Sequence, residues 1–244
     1  MINRLTSCFF VVAILLFSCG KDSACFKGTG KIIKEQRLVS AEITHIDTQD
    51  NIDIVLTQSN TPALSVEGGA NLLPYVNTAI TGNTLTISSD NKCTMFRDNS
   101  IPITVYLSIP NINRIDYTGK GNVTSTNVLN LDALAIESRG GTGSFDLNIN
   151  VNEFSIGQHS GPADFTITGV VENAQIYTLG SGWFFLKDCL VKNMSINQSG
   201  IGDLTVNVSN NLDVQIGSSG NLFYYGNPNV DILSTAGTGQ IIKR

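Results

Sequence analysis

Apolar and polar residues alternate along most of the second half of the chain. After the polar corner at residues 209–211, for example, Leu212, Val214 and Ile216 occupy every second position. Alternation with a period of two predicts β-strands, because successive side chains of a strand point to opposite faces. Residues 115–240 contain no 3.6-residue apolar stripe long enough for a helix. The pattern therefore predicts stacked strands and argues against a helical repeat.

An isoleucine repeat with a step of 20 residues organises these strands, and glycine or serine follows each isoleucine by four. The repeated pairs are Ile136 and Gly140, Ile156 and Ser160, Ile176 and Gly180, Ile196 and Gly200, and Ile216 and Gly220. A constant period of this length predicts a solenoid whose units bury their apolar faces against one another. Two short strands per repeat favour a parallel β-helix over a propeller, whose blades need about 40 residues each.

The same offset extends the frame in both directions. Ile115 and Ile232 fit it, which gives about seven regular coils of roughly 20 residues each, and Ile46 fits the same offset. We expect the glycines of turns such as 180–182 to supply positive φ and room for a tight turn. Residues 57–112 leave the frame and contain four prolines, so we expect a less regular part that covers one end of the solenoid.

The N-terminus has the features of an export signal. An apolar run over residues 8–17 is too short to cross a bilayer as a helix but fits the hydrophobic part of a signal peptide. The run ends in Leu-Phe-Ser-Cys at residues 16–19, which resembles the bacterial lipobox. This resemblance implies a lipoprotein signal peptide over residues 1–18, acylation of Cys19 and a short tether over residues 19–27. An ordinary secretory signal cut elsewhere is the alternative.

Either signal takes the mature chain out of the cytoplasm. We expect an outer-membrane lipoprotein of a Gram-negative bacterium, attached to the membrane by its lipid and facing either the periplasm or the cell surface. No other stretch is long and apolar enough to cross a membrane. A net charge of −5 at pH 7 without Lys/Arg clusters argues against nucleic acid as a partner.

The chain has five cysteines. Cys8 would leave with the signal and Cys19 would carry lipid, so Cys25, Cys93 and Cys189 remain. In an oxidising compartment Cys25 and Cys93 are the predicted disulfide, because they flank the less regular part, and Cys189 is the predicted buried thiol. The other two pairings and three reduced cysteines are the alternatives. The cysteines lack metal-ligand spacing and a companion histidine, so neither a metal nor a cofactor is expected.

Several segments together resemble the head GIN domain family, a family of auto-transporter adhesins. They are residues 28–30 (GTG), 51–58 (NIDIVLTQ), 71–75 (NLLPY), 84–87 (TLTI) and 119–123 (GKGNV). The order of these blocks is the specific signal, because a single Gly-x-Gly is a weak one. Where the family reads Gly-Ile-Asn, this chain has Asn-Ile-Asp at residues 51–53.

The resemblance implies a right-handed parallel β-helix of the pectate-lyase-like kind. We assign it to one all-β domain over residues 28–244, with a less regular part over 28–112 and regular coils over 113–240. The family is thought to serve in cell-surface adhesion and offers no catalytic residues to transfer.

Four charged residues lie close together on the repeat frame. Asp116 and Glu137 each follow a ladder isoleucine by one position, and Arg114 and Arg139 lie near them. We interpret the group as an ion-pair network on a solvated face, with a catalytic group as the alternative. We interpret His159, at a corner position, as a turn residue. No catalytic residue is predicted.

Aromatic residues offer a better indication of function. Alternation within residues 183–186 (WFFL) places Trp183 and Phe185 on one face, and Phe223 and Tyr225 join them if the corners keep phase. An outward aromatic patch suits stacking on sugar rings or docking of a protein. The alternative is that the patch packs beneath the less regular part or in an oligomer contact.

These observations predict a non-catalytic adhesin that binds a glycan or a surface protein through one face of a β-helix. Two alternatives remain open. One is a carbohydrate-active enzyme, a polysaccharide lyase or hydrolase, since many such enzymes use this architecture, although fold alone does not decide function. The other is a passive envelope module whose exposed faces mediate self-association into a homo-oligomer.

Overall fold

A computed structural model describes residues 28–91 and 101–244 of the chain. The predicted signal peptide and tether, together with Cys19, Cys25 and Cys93, lie outside the described residues. The described chain forms one continuous sheet of 17 strands wound into a parallel β-solenoid of about six turns, one fewer than expected. Among the described residues, no helix has the length and apolarity that a membrane span requires.

The strands are short at both ends of the chain and long in the middle. They are β1 (Ile32–Arg37), β2 (His45–Thr48), β3 (Ile52–Gln58), β4 (Ala63–Gly69), β5 (Val76–Thr81), β6 (Thr84–Ser89), β7 (Ile103–Ile109), β8 (Arg114–Tyr117), β9 (Val123–Ser125), β10 (Leu129–Arg139), β11 (Ser144–Ser160), β12 (Asp164–Thr178), β13 (Phe184–Gln198), β14 (Leu204–Ile216), β15 (Leu222–Tyr225), β16 (Asn229–Thr235) and β17 (Ile241–Lys243). A 3-10 turn, Leu73–Tyr75, precedes β5.

Each long strand contributes to two faces of the solenoid. Face A consists of the first parts of β11 to β14 with β3, β7, β9, β15 and β17, and face B consists of the last parts of β10 to β14 with β2, β6, β8 and β16. Between the two faces, residues 129–131 of β10 pair with residues 149–151 in the middle of β11. On both faces these strands pair in parallel with strands of the neighbouring coils. Alternating side chains therefore point either into the core or outward.

The predicted isoleucine column forms the core of face B. Its paired positions, all buried, are Leu85, Ile46, Ile115, Ile136, Ile156, Ile176, Ile196 and Val214. The prediction is confirmed as far as Ile196 and wrong for Ile216, which pairs with Gln198. The step from Ile196 to Val214 is 18 residues, and the next step of 18 leads to Ile232, which is 53% exposed.

A second column, rich in aromatic rings, forms the core of face A. Its paired positions are Val105, Ile54, Val123, Phe145, Phe165, Phe184, Leu204, Leu222 and Ile241. The rings of Phe145 and Phe165 are stacked with centroids 5.0 Å apart, and those of Phe165 and Phe184 are 4.8 Å apart. Such pairs add roughly 0.5–1.5 kcal/mol each beyond the burial of their area.

The N-terminal part departs from the regular frame in its chain order and in the direction of some of its strand pairings. Strand β2 pairs in parallel with both β6 and β8, and β3 pairs with both β7 and β9, so later strands lie on both sides of an earlier coil. Antiparallel pairing joins β4 to β1 and β7, and β5 to β6. These antiparallel strands lie at one end of the solenoid, where they bury Leu64, Val66 and Val76.

The Gly-x-Gly turns have a different physical cause from the one expected. Positive φ occurs at other glycines, including Gly140 and Gly161, and not at Gly182 or Gly202, so that part of the expectation is wrong. Room is what these turns require: a Cβ on Gly182 would overlap the carbonyl oxygen of Ala163, and one on Gly202 would overlap that of Gly182. Glycine thus lets successive turns approach backbone to backbone.

Candidate functional site

Trp183 and Phe185 form an exposed aromatic pair on the outside of face A. Phe184 and Leu186 are completely buried in the core. The alternate residues Trp183 and Phe185 therefore point outward, with 48% and 44% of their surface exposed. Their ring centroids are 6.3 Å apart and their planes differ by 16°. The backbone N–H of Trp183 donates to Asp164 Oδ1 at 2.7 Å and fixes the start of this segment. Trp183 lies immediately before β13 and Phe185 within it, so the pair is displayed at the start of a strand that is anchored in the core.

Phe223 and Tyr225 lie on the same face, two strands further along the solenoid. Phe185 pairs with Thr205, and Thr205 pairs with Phe223, so a small polar residue separates the two aromatic groups. The rings of Phe223 and Tyr225 are both half-buried. The guanidinium carbon of Arg244 lies 4.8 Å from the ring centroid of Phe223, and Lys187 Nζ lies 5.1 Å from that of Tyr225.

We call Trp183, Phe185, Phe223 and Tyr225 together the aromatic surface. The antiparallel strands β1, β4 and β5 lie at the other end of the solenoid, around β6 and β7. Within the described residues they therefore do not cover Trp183 or Phe185. The strand register places all four residues on one face, in the alignment that the sequence predicts.

Asp116 is the centre of the charged network on the outside of face B. Arg114 donates to both of its carboxylate oxygens, at 2.9 and 2.8 Å, and Arg139 reaches Oδ1 at 3.3 Å. His45 Nε2 lies 2.7 Å from Oδ2. The hydrogen bonds from Arg114, and secondarily from His45, hold the pKa of Asp116 below its ordinary value against the opposing effect of burial.

Glu137 extends the network by one strand. Its Oε2 lies 2.6 Å from His159 Nε2 and 3.5 Å from Arg139 Nη2. The interpretation of His159 as a turn residue is wrong, since it lies within β11 and contacts this carboxylate. The ring of His159 also lies 5.8 Å from that of Tyr177, edge to face.

The sequence did carry a signal for both histidines. His45 precedes Ile46 by one residue, as Arg114 precedes Ile115, and these pairs are in register. His159 follows Ile156 by three residues, as Arg139 follows Ile136. The repeat frame, applied to every position and not only to the carboxylates, would have placed both histidines beside them.

A buried column of polar side chains lies two positions after the isoleucine column. It contains Tyr117, Ser138, Gln158, Thr178 and Gln198, all essentially without exposure. Gln158 Nε2 donates to the Ala163 carbonyl at 2.7 Å, and Thr178 Oγ1 donates to Gln158 Oε1 at 2.7 Å. The column thus ties the turns to the core, a structural role that sequence reasoning missed although Gln158, Thr178 and Gln198 recur every 20 residues.

Reactive groups of other kinds are not assembled in the described chain. Cys189 is a fully buried free thiol, as expected, and burial raises its pKa to about 12, which leaves it a poor nucleophile. Within residues 28–91 and 101–244, no three His, Cys, Asp or Glu side chains are grouped so that they could hold a metal ion.

Stacked parallel coils with an aromatic display on one face define a β-solenoid of the repeat class. The chain belongs to the family described as "Putative auto-transporter adhesin, head GIN domain", whose model matches residues 42–228. Similar solved structures support this assignment. A "putative adhesin" from Bacteroides fragilis is 26% identical with a TM-score of 0.82, over 89% of this chain and 100% of that one.

Two further structures share the fold. A "putative lipid binding protein" from Parabacteroides distasonis is 21% identical with a TM-score of 0.65, over 89% of this chain and 100% of that one. A "putative adhesin" from Parabacteroides merdae is 23% identical with a TM-score of 0.60, over 89% of this chain and 98% of that one. No curated protein sequence matches the chain.

Proposed function

We propose that this protein is a non-catalytic adhesin that binds a partner outside the cell through the aromatic surface. The observation that carries the proposal is the pair of Trp183 and Phe185, each nearly half exposed at the start of β13, where the alternate side chains Phe184 and Leu186 are buried in the core. Exposed apolar groups held this rigidly lose little conformational freedom on binding. Membership of an adhesin family supports the same reading.

The composition of the aromatic surface favours a protein partner over a glycan. Trp, Tyr and Arg are the residues that dominate the energy of protein interfaces, and Trp183, Tyr225 and Arg244 all lie on this face. Between the two pairs of rings lies the single small polar residue Thr205, whereas sugar sites combine a ring with several convergent polar groups. A glycan partner remains the alternative outcome of the experiment below.

Adhesion of protein-coated beads to bacterial and epithelial cell surfaces tests the proposal. We expect beads carrying the mature chain to adhere and beads carrying the Trp183→Ala, Phe185→Ala double variant to lose adhesion. Trypsin treatment of the target surface should abolish adhesion if the partner is a protein, and periodate, which cleaves vicinal diols, should abolish it if the partner is a glycan.

An exposed apolar residue outside the aromatic surface supplies the control. Ile201 is 64% exposed in a turn, so the Ile201→Ala variant should adhere like the wild type. Equal adhesion of the wild type and the double variant would remove the aromatic surface from the proposal. Adhesion lost equally in Ile201→Ala would show that general stickiness, not this surface, is responsible.

We propose further that the chain reaches its partner as an exported lipoprotein anchored through Cys19. The lipobox-like sequence at residues 16–19 supports this step. Incorporation of labelled palmitate into the wild type, but not into Cys19→Ala, tests acylation. Release of the domain from intact cells by external protease tests surface exposure, and its protection until the outer membrane is opened would place it in the periplasm.

The proposal of no catalysis rests on how the two candidate carboxylates are used. Asp116 and Glu137 each contact an arginine and a histidine. They therefore do not form a free pair of carboxylates that could face a substrate. We expect no release of reducing ends from plant or bacterial polysaccharides by the wild type. Cleavage that disappears in Glu137→Gln would replace this proposal with the enzyme alternative.

A further inference from the structure

Face B carries a notch on its outer surface. Gly157 pairs with Glu137 on one side and with Tyr177 on the other. Each of these neighbours carries an outward side chain, but Gly157 has none. Glu137 and Tyr177 are therefore two strand spacings apart, roughly 10 Å, and the buried Gly157 lies between them without a side chain. The Glu137 carboxylate leans into this space, since a Cβ on Gly157 would lie 2.6 Å from its Oε2.

The groove around this notch is lined by uncharged polar groups. Ser155, Gln175, Ser195 and Asn197 line it together with His159 and Tyr177. Glu137 is the exception, and its charge is balanced by contacts with His159 and Arg139. The site therefore offers hydrogen bonds without a strong net charge.

Several of these groups have hydrogen-bonding capacity left for a ligand. Asn197 Oδ1 accepts from Ser199 Oγ at 2.9 Å, which directs its amide to donate elsewhere. His159 and Arg139 both contact Glu137 Oε2, so Oε1 remains able to accept. Tyr177 adds a ring that is 36% exposed beside the notch.

We propose that this notch is a binding site for a neutral glycan chain, separate from the aromatic surface. Sugar hydroxyls both donate and accept, which matches the mixture of carboxylate, amide and hydroxyl groups, and the apolar face of a sugar ring stacks on an aromatic side chain. The lack of a free cation in the groove disfavours an anionic glycan. The site lies on face B and does not depend on the partner proposed for face A.

Titration of the ¹⁵N-labelled mature chain with neutral gluco-, galacto- and manno-oligosaccharides tests the inference by NMR. At least one series should give saturable shifts centred on Gly157, Tyr177 and Asn197. The Tyr177→Ala variant should bind at least about tenfold more weakly because the stacking ring is lost. The Tyr177→Phe variant keeps the ring and should bind within about threefold of the wild type.

Filling the notch supplies a second test. Gly157 does not have positive φ, and the nearest obstacle to a side chain there is the flexible end of Glu137. The Gly157→Leu variant should therefore fold, as checked by its circular dichroism melt, and lose the shifts. Trp183→Ala should leave them unchanged, which separates this site from the aromatic surface.

Three results would overturn the inference. They are no saturable shift with any of the neutral series, shifts confined to the surroundings of Trp183 and Phe185, and tighter binding of sialylated or sulfated oligosaccharides than of neutral ones. Equal affinity of the wild type and Tyr177→Ala would likewise contradict it. Failure of bead adhesion through face A would leave the NMR result unaffected.

Discussion

Asp116 illustrates at the scale of one residue how the charged network responds to pH. Its folded-state pKa lies below the ordinary value of 3.8 because Arg114, and then His45, hydrogen-bond its ionised form. A carboxyl group with a lowered folded-state pKa stabilises the fold at every pH above its unfolded-state pKa. That contribution is lost as the pH falls through the folded-state value.

The Asp116→Asn substitution should therefore destabilise the protein at pH 7 and not in strong acid. The side chain is 23% exposed, so we expect a loss of about 1 kcal/mol in the free energy of unfolding, toward the upper end of the range for exposed ion pairs. The difference from the wild type should approach zero near about pH 2. Urea denaturation at both pH values measures it. Asp132 is exposed, so Asp132→Asn should show no such pH-dependent difference.

Tyr117 is a second residue whose role is specific enough to test. It is fully buried, its hydroxyl donates to the Gly121 carbonyl at 2.7 Å and accepts from the Gly143 N–H at 2.8 Å, and burial raises its pKa to about 12. Tyr117→Phe leaves both backbone groups without this partner, so we expect a loss of about 1–3 kcal/mol in the free energy of unfolding.

The matched control for Tyr117→Phe is the same change on the outside of the solenoid. Tyr177 is exposed, and Tyr177→Phe should alter the free energy of unfolding by less than about 0.5 kcal/mol. Chemical denaturation of the two variants measures the contrast. Equal stability of both variants would mean that the hydroxyl of Tyr117 does not hold the turns.

At the scale of the strand, the sequence could predict the direction of side chains but not the register of every coil. A shift by two residues keeps every apolar side chain of a strand on its original face. Val214 and Ile216 therefore fit the core column equally well, and only the corner within residues 206–211 decides between them. Relative to the previous coil, three residues are lost between Val206 and Asn207 and one is gained between Val208 and Asn211, which leaves a net shift of two. Alternation contains no information about that corner.

Residues 183–186 show the same limit of prediction from alternation. Alternation separates Trp183 and Phe185 from Phe184 and Leu186 but does not say which pair enters the core. The repeat supplies the answer once register is known, because Phe184 continues the column of Phe145 and Phe165. Step lengths of 20 and 19 residues along that column were available from the sequence.

The Gly-x-Gly turns lead to a prediction at the scale of the coil. A methyl group on Gly182 would meet backbone, the carbonyl oxygen of Ala163, which cannot move without separating two coils. Gly182→Ala should therefore lower the free energy of unfolding by more than about 2 kcal/mol. Gly28→Ala is the control, since Gly28 has no atom within 4 Å of an added Cβ and no positive φ. Thermal melts that are equal for the two variants would contradict the account of these turns.

At the scale of the whole molecule, the regular coils were predictable and the N-terminal part was not. Each regular coil contacts the coil that follows it in sequence, so a period in the sequence becomes a stack in space. Strands β2 and β3 instead lie between elements that come 40 to 70 residues later, and β4 and β5 pair antiparallel. Pairing at that separation leaves no period to detect, which is why residues 57–112 looked irregular.

This one-dimensional construction predicts a gradient of local stability along the solenoid. Strand β12 pairs along its length with β11 and β13, whereas among the described strands β16 pairs only with β14, and six of its seven residues are exposed. In a stack held by neighbour contacts, opening starts at the coil with fewest partners. Amide hydrogens of β16 should exchange at least about tenfold faster than those of β12.

Hydrogen exchange followed by mass spectrometry measures this gradient, with peptides from β11 to β14 giving the intermediate steps. The core of face A should be the region most protected from exchange, because the stacked rings of Phe145, Phe165 and Phe184 lie within it. Phe165→Ala removes the middle ring and should raise exchange in β11 to β13 more than in β16. Uniform exchange over all strands would show instead that the solenoid opens as one cooperative unit, and the neighbour-by-neighbour account of its stability would have to be abandoned.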